Sequence, residues 1–194
     1  FTEEWRREMR KSVPVKERMK IPRQKMPERK PDERNTDFQE VNLGLRAEAA
    51  QKEARRCLDC ANPLCVAGCP VGIDIPGFIK LIEAGRFSES ARKLKETNSL
   101  PSICGRVCPQ ETQCEEVCNL KKATGVPVGI GNLERFAADW EREQDTVALP
   151  EVAEQAGVDR YEDVRTIETM EPEAKWKFFE DLLAPCIRCY ACRN

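Results

Sequence analysis

Residues 57–79 run Cys57-Leu58-Asp59-Cys60-Ala61-Asn62-Pro63-Leu64-Cys65-Val66-Ala67-Gly68-Cys69-Pro70-Val71-Gly72-Ile73-Asp74-Ile75-Pro76-Gly77-Phe78-Ile79. Two, four and three residues separate successive cysteines, a pattern that no single helix or strand presents on one face. Pro70 and Gly72 break the chain behind them, and Pro76 suits the first turn of a helix carrying Phe78, Ile79, Leu81 and Ile82 that stops at Gly85. A second tetrad follows downstream as Cys104-x₃-Cys108-Pro109-x₄-Cys114-x₃-Cys118. The reading is a pair of cysteine-bearing loops set between helices.

Composition decides what such loops can do. The 194 residues include 11 cysteines and no histidine, with 34% charged and 6% aromatic residues. A chain so poor in aromatic surface needs a staple besides its core. Without histidine there is no Cys₂His₂ zinc finger, no His-ligated haem and no His general base. An odd number of cysteines leaves one thiol over in a closed disulfide framework. The start Phe1-Thr2-Glu3-Glu4-Trp5-Arg6 is too charged for a signal peptide, and no stretch approaches the roughly 20 apolar residues of a membrane helix. The cysteines are therefore read as reduced thiolates of a cytoplasmic protein.

A cubane iron–sulfur cluster asks for four soft anionic ligands converging from different directions, and two irregular tetrads supply them. In two-cluster ferredoxins the cysteine that precedes Pro serves the other cluster. By that logic Cys57, Cys60 and Cys65 open one [4Fe–4S] site, Cys69 crosses to a second, and Cys118 returns to close the first. Two structural zincs and a disulfide-stapled secreted module are the competing readings. The uneven spacings and the Cys-Pro pairs oppose zinc, and the compartment opposes disulfides.

Around this core the chain divides into three stretches. Residues 1–42 are expected to form an extended basic arm, since Pro14, Pro22, Pro27 and Pro31 recur too often for a long helix. Residues 43–144 are expected to form a mainly α, helical two-cluster domain. Its helices are placed at about Leu45–Arg56, Pro76–Ile82, Phe87–Glu96 and Asn132–Glu143, with another turn bringing Cys114 and Cys118 to one side. Residues 145–194 are expected to form an acidic linker, a helical stretch near Pro150–Ala156, a helix at about Pro172–Leu183 and a further cysteine group. Residues 1–34 carry 12 Lys/Arg against 7 Asp/Glu, and residues 145–184 carry 4 against 11. Each tail is read as docking on a partner of opposite sign or on the other tail. With no aromatic interleaving in the basic arm and no binding motif after it, no nucleic-acid partner is expected.

The stretch from Glu53-Ala54-Arg55-Arg56-Cys57 through Ile79 resembles the N-terminal iron–sulfur domain of the glutamate synthase small-subunit family. That family includes the large subunit of NADH-dependent ferredoxin:NADP transhydrogenases, and dihydropyrimidine dehydrogenase shares the domain. Arg23-Gln24-Lys25-Met26-Pro27, Phe38-Gln39-Glu40-Val41 and Gly105-Arg106-Val107-Cys108-Pro109 fit it too, so the likeness spans about residues 20–143. The resemblance implies an alpha-helical ferredoxin fold with one cluster on Cys57, Cys60, Cys65 and Cys118. It implies a second on Cys69, Cys108, Cys114 and a carboxylate oxygen of Glu134. Cys104 is then spare, read as a small buried residue.

Cys186-x₂-Cys189-x₂-Cys192 opens a bacterial ferredoxin run whose fourth cysteine would fall four residues later, beyond Asn194. A third [4Fe–4S] cluster on a longer chain is expected from it. Gly129 and Gly131 supply only part of a dinucleotide-binding G-x-G-x-x-G and no strand precedes them, so no FAD or NAD(P)H site is expected here. No catalytic residue is assigned. The reading is an electron-transfer subunit or domain, with FAD or FMN on a partner or a missing domain. Flavin- and NAD(P)H-binding oxidoreductase subunits and ferredoxin are the expected partners. An N-terminal fragment of an intact FAD-dependent glutamate synthase- or transhydrogenase-type enzyme, and a zinc-stabilised interaction module, are the alternatives.

Overall fold

A computed structural model describes residues 4–148 and 162–183 of the chain. The fold is mainly α, and among the described residues the sole extended pairing is an isolated antiparallel bridge between Glu28 and Asn42. The chain divides into two units, Phe1–Leu149 and Pro150–Asn194.

The first unit is built around α6 (Ile75–Glu83), buried along its whole length. Asp74 caps its start by accepting from the Gly77 amide at 3.0 Å, and Pro76 occupies the first turn. Gly85, at φ +76°, turns the chain back where a side chain would be strained. Helix α7 (Phe87–Lys95) returns along α6, held by the Ser90 hydroxyl donating to the Phe78 carbonyl at 2.9 Å. Helix α10 (Ile130–Ala148) packs Leu133 and Ala137, both fully buried, against these two and against α4 (Ala47–Ala54). Phe87, Phe136 and Trp140 complete the layer with edge-on ring contacts at 5.0 and 4.7 Å. Phe78, Ile79, Ile82 and Leu94 sit at its centre, each contributing roughly 1.5–3 kcal/mol by leaving water.

The shorter helices α5 (Leu64–Ala67), α8 (Pro101–Val107) and α9 (Asn119–Thr124) are carried on that frame. Helix α8 lies very close to α10 because of Gly105: a Cβ there would fall 2.6–2.8 Å from the backbone and Cβ of Arg135. The second unit contains α11 (Glu162–Thr169) and α12 (Pro172–Leu183), the latter with the bounds expected from its composition.

The N-terminal arm differs from the extended segment expected. It folds into α1 (Glu4–Ser12), α2 (Val15–Lys20) and α3 (Pro31–Arg34), with Pro14, Pro22 and Pro27 in the connections. The prolines limit helix length without preventing short helices between them. The arm is also not a free basic tail. Arg6 reaches Asp59, Arg18 reaches Glu83 at 2.9 Å, and Arg23 reaches Glu115 at 2.9 Å, so these three arginines are paired with carboxylates of their own unit.

Candidate iron–sulfur sites

Seven of the predicted ligands separate cleanly into two cavities. Cys57, Cys60, Cys65 and Cys118 line the first, with Pro63, Leu64, Pro76, Leu120 and Val128 as walls. Cys69, Cys108 and Cys114 line the second, together with Cys104, Glu134, Asn98, Gln110 and Gln113 and the apolar Val71, Ile73, Ile75, Phe78 and Ile130. Cys69 thus shares a cavity with Cys108 and Cys114, and Cys118 shares one with Cys57, Cys60 and Cys65.

Each cysteine owes its place to a local feature. Helix α4 ends at Ala54, and the next residues deliver Cys57 into the core. Asp59, at φ +51°, bends the Cys57–Cys60 loop tightly enough to bring both sulfurs to one cavity. Cys65 rides on α5, and Cys118 stands at the N-cap of α9. Cys104 lies on α8, Cys108 caps its C-terminus, and Glu134 faces them from α10. Gly68 lets the two tetrads touch, since a Cβ there would meet Val117 at 2.7 Å and the Gln113 carbonyl at 3.1 Å.

The expectation that Cys114 and Cys118 share a helical face is not met. Residues 113–117 form successive turns and Cys118 is extended at φ −61°, ψ 126°. With no helix between them, the four-residue spacing turns the two side chains into different cavities. Cys104, expected to be buried and outside the set, is only half-buried and lines the second cavity, its thiol donating to the Asn98 side-chain oxygen at 3.7 Å. Cys186, Cys189 and Cys192, and the stretch Pro150–Ala156, lie outside the described residues.

Burial raises the thiols of Cys57, Cys65 and Cys108 above their ordinary range and pushes Cys114 up to about 12. For Cys57 the Lys80 ammonium opposes that rise. Thiols gathered this densely become thiolates only when cationic metal compensates them. Among the described residues no three Cys, Asp or Glu side chains are grouped to hold a single metal ion. Soft donors arriving from separate segments around an apolar hollow do suit a polynuclear iron–sulfur cluster. The second cavity differs in carrying one hard donor. Glu134 is 5% exposed, accepts from the Asn98 amide at 2.8 Å, and is raised to about 7 by burial against that bond.

A shell of buried charges supports the loops. Glu53, fully buried, accepts from Arg56 at 2.6 Å, the Gln24 amide at 2.7 Å and the Gly129 amide at 2.8 Å. Arg56 also donates to the carbonyls of Ile21, Val126 and Pro127, tying arm, first tetrad and the connection before α10 together. Lys80 donates to the Cys57 carbonyl at 2.8 Å and to Glu83 at 2.6 Å. Lys80, Asp59 and Asn98 are not among the residues expected at the sites from sequence. A lysine inside the apolar run Phe78-Ile79-Lys80-Leu81-Ile82 was the available signal.

Comparison with known proteins agrees with this architecture. A family model described as dihydropyrimidine dehydrogenase domain II, 4Fe-4S cluster, matches residues 34–146. The chain is 44% identical over 103 residues to the glutamate synthase [NADPH] small chain of Escherichia coli, covering 53% of this chain and 22% of that one. It is 38% identical over 108 residues to the Azospirillum brasilense glutamate synthase [NADPH] small chain, covering 55% and 22%. It is 38% identical over 94 residues to the E. coli NAD-dependent dihydropyrimidine dehydrogenase subunit PreT, covering 48% and 23%. The chain spans less than a quarter of the length of these curated relatives. Among the described residues no helix is long and apolar enough to cross a membrane. With more than half of its length matched, the chain belongs to the family of dihydropyrimidine dehydrogenase domain II and is an iron–sulfur, 4Fe-4S domain of oxidoreductases.

Proposed function

We propose that the chain holds two [4Fe–4S] clusters and relays single electrons between a flavin and another redox centre. Cys57, Cys60, Cys65 and Cys118 hold the first, and Cys69, Cys108, Cys114 and Glu134 hold the second. The observation that carries this reading is the sorting of these eight residues into two cavities, against their order in the chain. The clusters supply one-electron chemistry, and the side chains around them fix their positions and set their potentials through ligand type, hydrogen bonding and burial. No acid or base on the described residues is needed for that task.

The flavin, FAD or FMN, belongs on a partner or on another part of a longer chain, together with the NAD(P)H site. The relatives named as NADPH- and NAD-dependent enzymes support this assignment. Residues 43–144 form the two-cluster domain in this reading, inside a cytoplasmic, oxygen-sensitive oxidoreductase. Cys186, Cys189 and Cys192 start a third cluster motif.

Anaerobic iron loading followed by iron and sulfide analysis tests the reading. A Cys186→Ser, Cys189→Ser, Cys192→Ser variant that binds about eight irons and eight sulfides and bleaches on reduction supports two clusters. A colourless variant that takes up zinc in preference to iron overturns the proposal. In the same variant, Glu134→Ala should leave one iron labile and yield a three-iron species after mild oxidation. Two unaltered clusters there would remove Glu134 from the ligand set and make Cys104 the next residue to substitute.

A further inference from the structure

The two cavities sit in different electrostatic surroundings. Beside the first, Lys80 is 1% exposed and its ammonium donates to the Cys57 carbonyl at 2.8 Å. Its partner Glu83, 8% exposed, is shared with Arg18, which is 2% exposed and also donates to the Arg55 carbonyl at 2.7 Å. Two cations thus face one carboxylate in a group bonded directly to the backbone of the first tetrad. Asp59, between Cys57 and Cys60, is met by both Arg6 and Arg10. Arg56, next to Cys57, is balanced by Glu53.

The cations paired near the second cavity are more exposed than Lys80 and Arg18. Glu134 is the charged residue among its lining side chains. The nearby Glu115 is paired with Arg23, while Arg106, Arg135 and Arg142 are shared between Glu40 and Asp139, Arg142 from a largely exposed position. Buried charge is screened less than exposed charge, so deeply buried cations of this kind favour an added electron nearby.

We propose that Lys80, with Arg18 and Arg6 brought in by the N-terminal arm, forms a cationic shell that makes the Cys57 site the higher-potential of the two clusters. Lys80 is a positioning residue here. It touches the ligand's backbone, fixes the loop and lowers the cost of placing one more negative charge beside it. One electron enters the cluster, and the positive charge that favours it is already fixed in the fold. The arm is then a functional part of the cluster domain, which its mixed charge and short helices do not by themselves suggest.

This inference rests on the two-cluster reading, and the experiment separates their failures. The full chain, loaded with iron, is titrated anaerobically with spin-resonance detection, alongside variants with Lys80→Met, Lys80→Arg and Asp59→Asn. Lys80→Met should move one midpoint potential downward and leave the other in place. Lys80→Arg should restore it. Asp59→Asn removes a negative charge and keeps a residue that tolerates positive φ, so the same midpoint should move upward. Should Lys80→Met not fold, the upward shift in Asp59→Asn decides alone. Unshifted midpoints in the folded variants, or shifts in the second cluster, overturn the electrostatic role. Absence of two clusters in the unsubstituted chain overturns the functional reading instead.

Discussion

The two cavities lie in one small unit, yet they are built in opposite ways. The first is lined by four cysteines, and its loop is locked by Arg6 and Arg18, which arrive from the N-terminal arm, far away in sequence. The second mixes cysteines with Glu134 and Asn98, and its geometry depends on α8 lying against α10. One site is organised by buried charge and the other by close helix packing. Substitutions should therefore damage them separately.

The largest expected effect falls on the charged side. Arg18→Met leaves Glu83 with one cation fewer and removes donors from the carbonyls of Met9, Val13 and Arg55. Breaking a buried pair from one side costs about 3–5 kcal/mol. Chemical denaturation of the iron-loaded chain should show a loss of that order, together with faster release of iron from the first site. A change within the error of the measurement would mean that the arm merely rests on the surface.

A smaller effect is expected on the packed side. Gly105→Ala places a methyl group against the Arg135 backbone and forces α8 outward, at a cost of about 1–3 kcal/mol. The second cluster should become labile while the spectrum of the first is retained. Equal damage to both would show that the sites do not have separate supports.

The smallest effect is spectroscopic. Glu134→Cys exchanges a hard oxygen donor for a soft thiolate of the same formal charge. Iron content should be unchanged, with only the second cluster's potential and spin-resonance signal displaced. An unchanged signal would argue that the carboxylate does not touch iron.

Much of this contrast was legible in the residues. The helices at α4, α6, α7, α10 and α12 followed from apolar spacing and Pro or Gly punctuation, and the crossing expected from the cysteine spacings and Cys-Pro breaks is compatible with the lining of the two cavities. Glu134 came only from the family resemblance, since nothing in its immediate sequence sets it apart from a solvated helix carboxylate. What stayed hidden was tertiary. The arm's prolines suggested an extended chain, and only the long reach of Arg6, Arg18 and Arg23 into buried carboxylates explains why short helices are held there. Helical spacing misplaced Cys114 and Cys118 because the backbone between them is a run of turns. Cys104 gave no sign that it would reach the second cavity, as the closeness of α8 to α10 depends on Gly105.

The divergence of those two cysteines gives the most direct test of the two-site account. Cys114→Ser and Cys118→Ser, four residues apart, should be compared by Mössbauer and spin-resonance spectroscopy of ⁵⁷Fe-loaded protein. Each substitution should perturb one cluster only, Cys114→Ser the same cluster that responds to Glu134→Cys and Cys118→Ser the other. Perturbation of one and the same cluster by both substitutions would contradict the account.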